Sequence, residues 1–141
     1  MFDELEKYES NGHFFFSVKD ELGQVCNAPK NGLGVYLVYA LNKGKNELIY
    51  VGSSGKVQQN GKAKVRKGGI RDRIVNGKQF KKPRKVCWKE KLTTEKFEAL
   101  DVYWYITFDQ SNSDIPATVE GHIIQRYLSV FGRLPRWNKE Y

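Results

Sequence analysis

A chain of 141 residues that is 40% hydrophobic and 28% charged, with 4 Pro and 13 Gly, has the size and composition of one folded domain; collagen-like, low-complexity and largely disordered classes are excluded. No apolar run approaches the roughly 18 residues of a membrane-spanning helix, and the acidic residues 1–7 lack the pattern of a signal peptide. Lys plus Arg (24) exceeds Asp plus Glu (16) for a net charge of +8, and residues 56–91 alone hold 14 basic and 2 acidic side chains, so the rest of the chain is net negative.

The elements follow in chain order. Residues 1–33 hold a short helical candidate at 2–9 and aromatic, turn-rich segments, and are expected to form an extension packed on the core. Residues 34–41 are continuously apolar and β-forming, which predicts a strand buried on both faces. A turn cluster at 42–46 and a second strand at 48–52 make a hairpin with a loop of about five residues. The polar, Gly- and Lys-rich stretch 53–69 is a basic insertion. Helices are expected at about 70–76 and within 83–99. Residues 100–108 alternate and predict a half-buried strand. The Ser113-Asp114-Ile115-Pro116 start predicts a helix reaching about residue 131. The expected fold is α/β (α+β): one domain with a small mixed or antiparallel three-stranded sheet flanked by helices.

The last helix carries an anomaly. On a helical wheel with Val119 at zero, Ile123, Tyr127, Phe131 and Ile124 fall between about 40° and 140°, and Glu120 falls at about 100°, inside the apolar stripe. The helix dipole contributes at most about 1–2 kcal/mol, too little to bury a carboxylate. A structural arginine partner is one explanation; a divalent cation or functional basic cluster is the better one.

The basic block is the electrostatic footprint of a polyanion binder, since each Lys or Arg on a phosphate releases a condensed counterion. Its candidate nucleic-acid contacts are Lys56, Lys64, Arg66, Lys67, Arg71, Lys78, Lys81, Lys82, Arg84 and Lys85. Other residues carry less. His13 and His122 lack spaced ligand partners, and Asp72 reads as a local salt bridge. Trp88 reads as a stacking residue or an anchor, and Trp137 as packing for the C-terminus. Tyr39, Tyr103 and Tyr105 read as ordinary packing. Cys26 and Cys87 match no metal spacing and are expected as reduced thiols of a cytoplasmic protein.

Five pieces in order resemble the GIY-YIG nuclease family over residues 33–138. They are Gly34-Val35-Tyr36, Tyr50-Val51-Gly52, the helix Ile70-Arg71-Asp72-Arg73-Ile74, the helix around Glu120, and Pro135-Arg136-Trp137-Asn138. The resemblance implies a GIY-YIG-like core over 34–138 with the insertion at 53–69, and an Mg²⁺- or Mn²⁺-dependent endonuclease acting on DNA. By that analogy Tyr36 is the general base, Arg73 clamps the phosphate, and Glu120 is the metal ligand. Tyr50 bonds phosphate or water, and Asn138 orients its neighbours. Ser53 stands where the family often has lysine or a small residue. Gly77 replaces a histidine or tyrosine four positions after the arginine. Lys67, or Lys56 or Lys64, is then the candidate cation beside the tyrosine. A non-catalytic nucleic-acid-binding module is the alternative. Without an appended recognition domain, specificity is expected from the insertion, the N-terminal segment, self-association as a homodimer or a partner protein.

Tyr36 and Tyr50 share a sheet face only if the numbers of paired residues sum to an even value. Closure of Leu41 on Glu47 meets that condition, and closure of Leu41 on Leu48 does not.

Overall fold

A computed structural model describes residues 1–64 and 67–141. The chain opens with a 3₁₀ turn (Asp3–Lys7), β1 (Asn11–Phe16) and the one-turn α1 (Leu22–Val25). The hairpin β2 (Leu33–Asn42) and β3 (Lys45–Ser54) follows, then a short hairpin, β4 (Lys56–Val57) and β5 (Ala63–Lys64). Next come α2 (Gly69–Asn76), a second short hairpin of β6 (Lys78–Gln79) and β7 (Lys82–Pro83), α3 (Arg84–Thr94), β8 (Ala99–Phe108) and α4 (Pro116–Phe131).

The main sheet is antiparallel and has four strands in the order β1-β8-β2-β3, one more than expected. The extra member is β1, from the segment read as an N-terminal extension: it pairs along β8 from Asn11–Tyr105 to Phe16–Leu100. Its alternation is masked in the sequence by the run Phe14-Phe15-Phe16, in which Phe14 and Phe16 are buried while Phe15 is exposed. Central strand β2 is covered on both faces. Tyr36, Val38 and Ala40 pack towards α2 and α3 with Ile70, Ile74, Trp88 and Leu92. Val35 and Leu37 pack towards α4 with Val119, Ile123, Ile124 and Tyr127. The sheet thus lies between two helical layers, a standard way to bury both of its faces. Among the described residues no helix is long and apolar enough to cross a membrane.

The hairpin register differs from both expected closures. The turn is tighter, with Lys43 and Gly44 left-handed at φ 53° and 76°, and Asn42 pairs Lys45. From there to Tyr39–Leu48 the paired numbers sum to 87, an odd value that would separate the two tyrosines. A β-bulge then leaves Ile49 without its own partner, so Val38 pairs Tyr50 and Tyr36 pairs Gly52, sums of 88. One extra residue on β3 therefore brings Tyr50 back to the face that carries Tyr36. Beyond β3 the chain end docks on that edge. The Trp137 amide donates to the Ile49 carbonyl at 2.7 Å, and Trp137 is buried.

Candidate functional site

Tyr36 and Tyr50 lie with ring centroids 6.1 Å apart. The close approach needs Gly52: a Cβ there would fall 2.5 Å from Tyr36 Cζ and 2.6 Å from its hydroxyl. Against these rings lies a cation, Arg84 of α3, not a lysine of the insertion. Its Nη2 donates to the Tyr36 hydroxyl at 2.8 Å, and its guanidinium carbon lies 5.2 Å from the Tyr36 ring centroid and 5.8 Å from that of Tyr50.

Arg84 is only 1% exposed, which removes it from the surface contacts expected for nucleic acid. Its Nη1 donates to the Arg73 carbonyl at 2.5 Å and its Nε to Gln79 Oε1 at 3.2 Å. No carboxylate forms an ion pair with it among the described residues. A buried guanidinium held only by neutral acceptors and aromatic faces keeps an unneutralised positive field beside the two phenols. Gly77 makes this possible, since a Cβ there would lie 2.4 Å from Arg84 Nη1. The glycine at position 77 therefore vacates the space the arginine occupies.

Glu120 comes from the opposite helical layer. Val51 and Ser53 of β3 face α4, and the Ser53 hydroxyl donates to Glu120 Oε1 at 2.5 Å. Burial raises the Glu120 pKa above the ordinary glutamate value, while the Ser53 hydrogen bond and the positive charge of Arg73 act the other way. No described residue donates to Oε2. Around the edge of β3, Glu120 and Tyr50 line one open cleft of about 400 Å³, closed by Gln79, Phe80 and Lys81 on one side and residues 137–141 on the other. Burial, with the neighbouring Tyr36 phenol, pushes the Tyr50 pKa up to about 12, despite the opposing charge of Arg84. Tyr50 is therefore a hydrogen-bond donor at neutral pH. Arg73 is exposed on α2, and its charge lowers both the Tyr50 and Glu120 values.

Of the five residues expected to act, Tyr50 and Glu120 meet in the cleft with Arg73 electrostatically coupled to both. Tyr36 joins them only from behind. It has no exposed surface and its hydroxyl is engaged by Arg84, so as it stands it cannot reach a water in the cleft, contrary to the general-base expectation. Asn138 lines the cleft, but its side chain is committed to the edge strand. Oδ1 accepts from the Val51 amide at 2.9 Å, and Nδ2 donates to the Val51 carbonyl at 3.0 Å. It orients β3 rather than a reacting group.

The expected surface contacts divide. Lys56, Lys64, Lys67, Lys78, Lys81, Lys82 and Lys85 are exposed. Lys56 and Lys64 are paired directly across β4–β5, a like-charge pairing that is unfavourable without an anion between them. Arg71 is a clamp instead: its guanidinium donates to the Cys26 and Gly23 carbonyls and ties α2 to α1. Arg66 lies outside the described residues. Trp88 is fully buried and donates to Gln79 Oε1 at 2.9 Å, so it is an anchor.

A divalent cation is compatible with the donor set, because Mg²⁺ keeps several waters and takes one or two carboxylates. Glu120 offers one half-buried carboxylate with Oε2 available. No group of three or more His, Cys, Asp or Glu side chains that could enclose a metal occurs among the described residues. Compared with known proteins, the chain matches no family model, no curated protein and no solved structure.

Proposed function

We propose that the chain is a metal-dependent endonuclease of the GIY-YIG type that hydrolyses phosphodiester bonds in DNA. The observation that carries this reading is the cleft itself: Glu120 and Tyr50 line it together, and the charge of Arg73 acts on both. Glu120 would hold Mg²⁺ or Mn²⁺, which when bound supplies charge neutralisation on the phosphate and a more acidic bound water. Arg73, exposed and planar, clamps non-bridging phosphate oxygens bidentately, which a lysine could not reproduce. Tyr50, held protonated by burial, donates to a phosphate oxygen as negative charge develops there. Tyr36 and Arg84 support Tyr50 from behind: the guanidinium lies over both rings and fixes their separation. Ser53 holds the Glu120 carboxylate in place.

One observation favours a second reading, a nucleic-acid-binding module without turnover: the phenol that the family analogy makes the base is closed off by its own packing. Incubation with supercoiled plasmid and branched DNA, with and without Mg²⁺ or Mn²⁺, separates the two. Metal-dependent nicking by the wild type and none by Glu120→Gln is the result expected of the endonuclease. Salt-sensitive binding with no cutting under any metal would replace it with the binding module.

A further inference from the structure

We propose that the candidate cleft is the middle of a continuous track for one nucleic-acid strand, with one arm along α3 at the end of the basic block and a second arm at residues 133–139, outside that block. The proposal rests on the reading above and extends it to substrate binding. Three grooves adjoin. The cleft shares Asn138 and Lys139 with a groove of about 590 Å³ that is lined by Arg133, Leu134, Pro135 and Arg136. On its other side it shares Phe80 with a groove of about 660 Å³ along α3, where Lys82, Lys89 and Lys91 face Glu90.

Charge in the track is only partly neutralised. Lys82 is held by Glu90 at 2.9 Å, Lys91 by Glu95 at 3.7 Å, and Arg136 by Glu47 and Glu95. Lys81, Lys89, Arg133 and Lys139 form no ion pair among the described residues, and they are spread over all three grooves. Cations outside any close ion pair, set along grooves that also carry the carboxylates of Glu120 and Glu140 and the phenol of Tyr50, suit a chain with a charge at every repeat, and a phosphodiester backbone is such a chain. The junction at Phe80 is built with care. Phe80 and Lys81 form the β6–β7 turn with φ of 54° and 65°, a left-handed pair without glycine that the surroundings must hold. They do so by packing Phe80 edge-on against Trp137, with Lys91 4.4 Å and Lys139 5.6 Å from its ring centroid. The turn thereby aims Lys81 into the cleft and joins the two outer arms across one aromatic ring.

The test is fluorescence-anisotropy binding of labelled duplex and single-stranded oligonucleotides by the full chain in EDTA, over a series of salt concentrations. Lys89→Ala tests one arm, Arg133→Ala the other, and Lys45→Ala in β3 is the control. Each arm variant is expected to flatten the slope of log K against log salt by about 0.9 on duplex or about 0.7 on single strands, about an eight-fold loss of duplex affinity at 0.1 M salt. Lys89→Arg and Arg133→Lys keep the charge and are expected to keep the slope, which separates charge from any loss of folding. Slopes that do not move in either arm variant, or that move equally in the control, overturn the track. A chain that binds with these slopes but cuts nothing with metal keeps the track and loses the hydrolysis reading. One that cuts while the slopes stay unmoved does the reverse.

Discussion

Replacing Gly52 with alanine probes the packing that brings the two phenols together. The added Cβ would sit 2.5 Å from Tyr36 Cζ and 2.6 Å from its hydroxyl, whereas carbon atoms in contact rest about 3.5–4.0 Å apart. The phenol must therefore retreat by about 1 Å, and Tyr36 is fully enclosed, so the movement is resisted on every side. Overpacking of this kind costs about 1–3 kcal/mol. The same displacement stretches the 2.8 Å bond from Arg84 Nη2, and a hydrogen bond to a charged group contributes about 1.5–3 kcal/mol. Together Gly52→Ala should destabilise the protein by about 2.5–6 kcal/mol, read as the shift in urea midpoint at constant slope, with a fall in Tm of about 8 °C or more. Tyr36→Leu removes the ring atoms that collide with the new methyl group. In a double-mutant cycle, the Gly52→Ala change should then cost at least about 1 kcal/mol less in the Tyr36→Leu background than in wild type. Strictly additive effects, or a Gly52→Ala protein within about 0.5 kcal/mol of wild type, would refute the steric account.

Three further outcomes follow from the same geometry. Burial raises the Glu120 pKa, so the folded protein disfavours the ionised form: stability is greatest below the ordinary glutamate value and declines as pH rises through the folded one. Without metal, Glu120→Gln should be the more stable protein at neutral pH, with the advantage vanishing in acid. With Mg²⁺ at 100 times its Kd only the wild type should gain, by about 2.7 kcal/mol; a pH series of urea midpoints measures both. Arg73 is exposed and its carbonyl, not its side chain, holds Arg84; Arg73→Lys should leave stability within about 0.5 kcal/mol while lowering kcat/KM about 10²-fold, by unfolding curves and steady-state kinetics. Asn138→Ala removes both side-chain bonds to Val51 and should cost about 1–3 kcal/mol, with faster hydrogen exchange at the Val51 amide as the local readout.

How much of this could be read from the residues depends on whether the signal was local. Strands β2 and β8 declare themselves by apolar runs and alternation, and α4 by its stripe, in which the carboxylate of Glu120 is conspicuous. The stripe overreached only at Phe131, which is 49% exposed where the helix runs past the sheet. Arg84 was hidden for the opposite reason. It is one of 14 basic residues in a dense block, and a charge census cannot tell a solvated guanidinium from an enclosed one. The one usable hint was Gly77, whose missing side chain leaves room for a large neighbour. Asn138 fitted a motif by type, but its amide is matched to the backbone of a strand 87 residues earlier, a pairing no local pattern announces. The bulge at Ile49 was equally silent, since its sequence is an uninterrupted β-forming run.

That bulge has a consequence for how the hairpin tolerates change. Two phenols meet only because an odd count at the tip is converted to an even one at Ile49, three residues before Gly52 pairs Tyr36. Extending the tip by two residues, one on each strand, preserves every facing relationship below it. Pairing Ile49 with Val38 in a regular ladder would straighten β3, set Tyr50 opposite Leu37 and swing its ring to the side of the sheet covered by α4, emptying the cleft of its phenol while leaving the sequence of the strand untouched. Alternation along a strand is binary, so the chemistry on this edge depends on the arithmetic of one unpaired residue as much as on the identity of any side chain it carries.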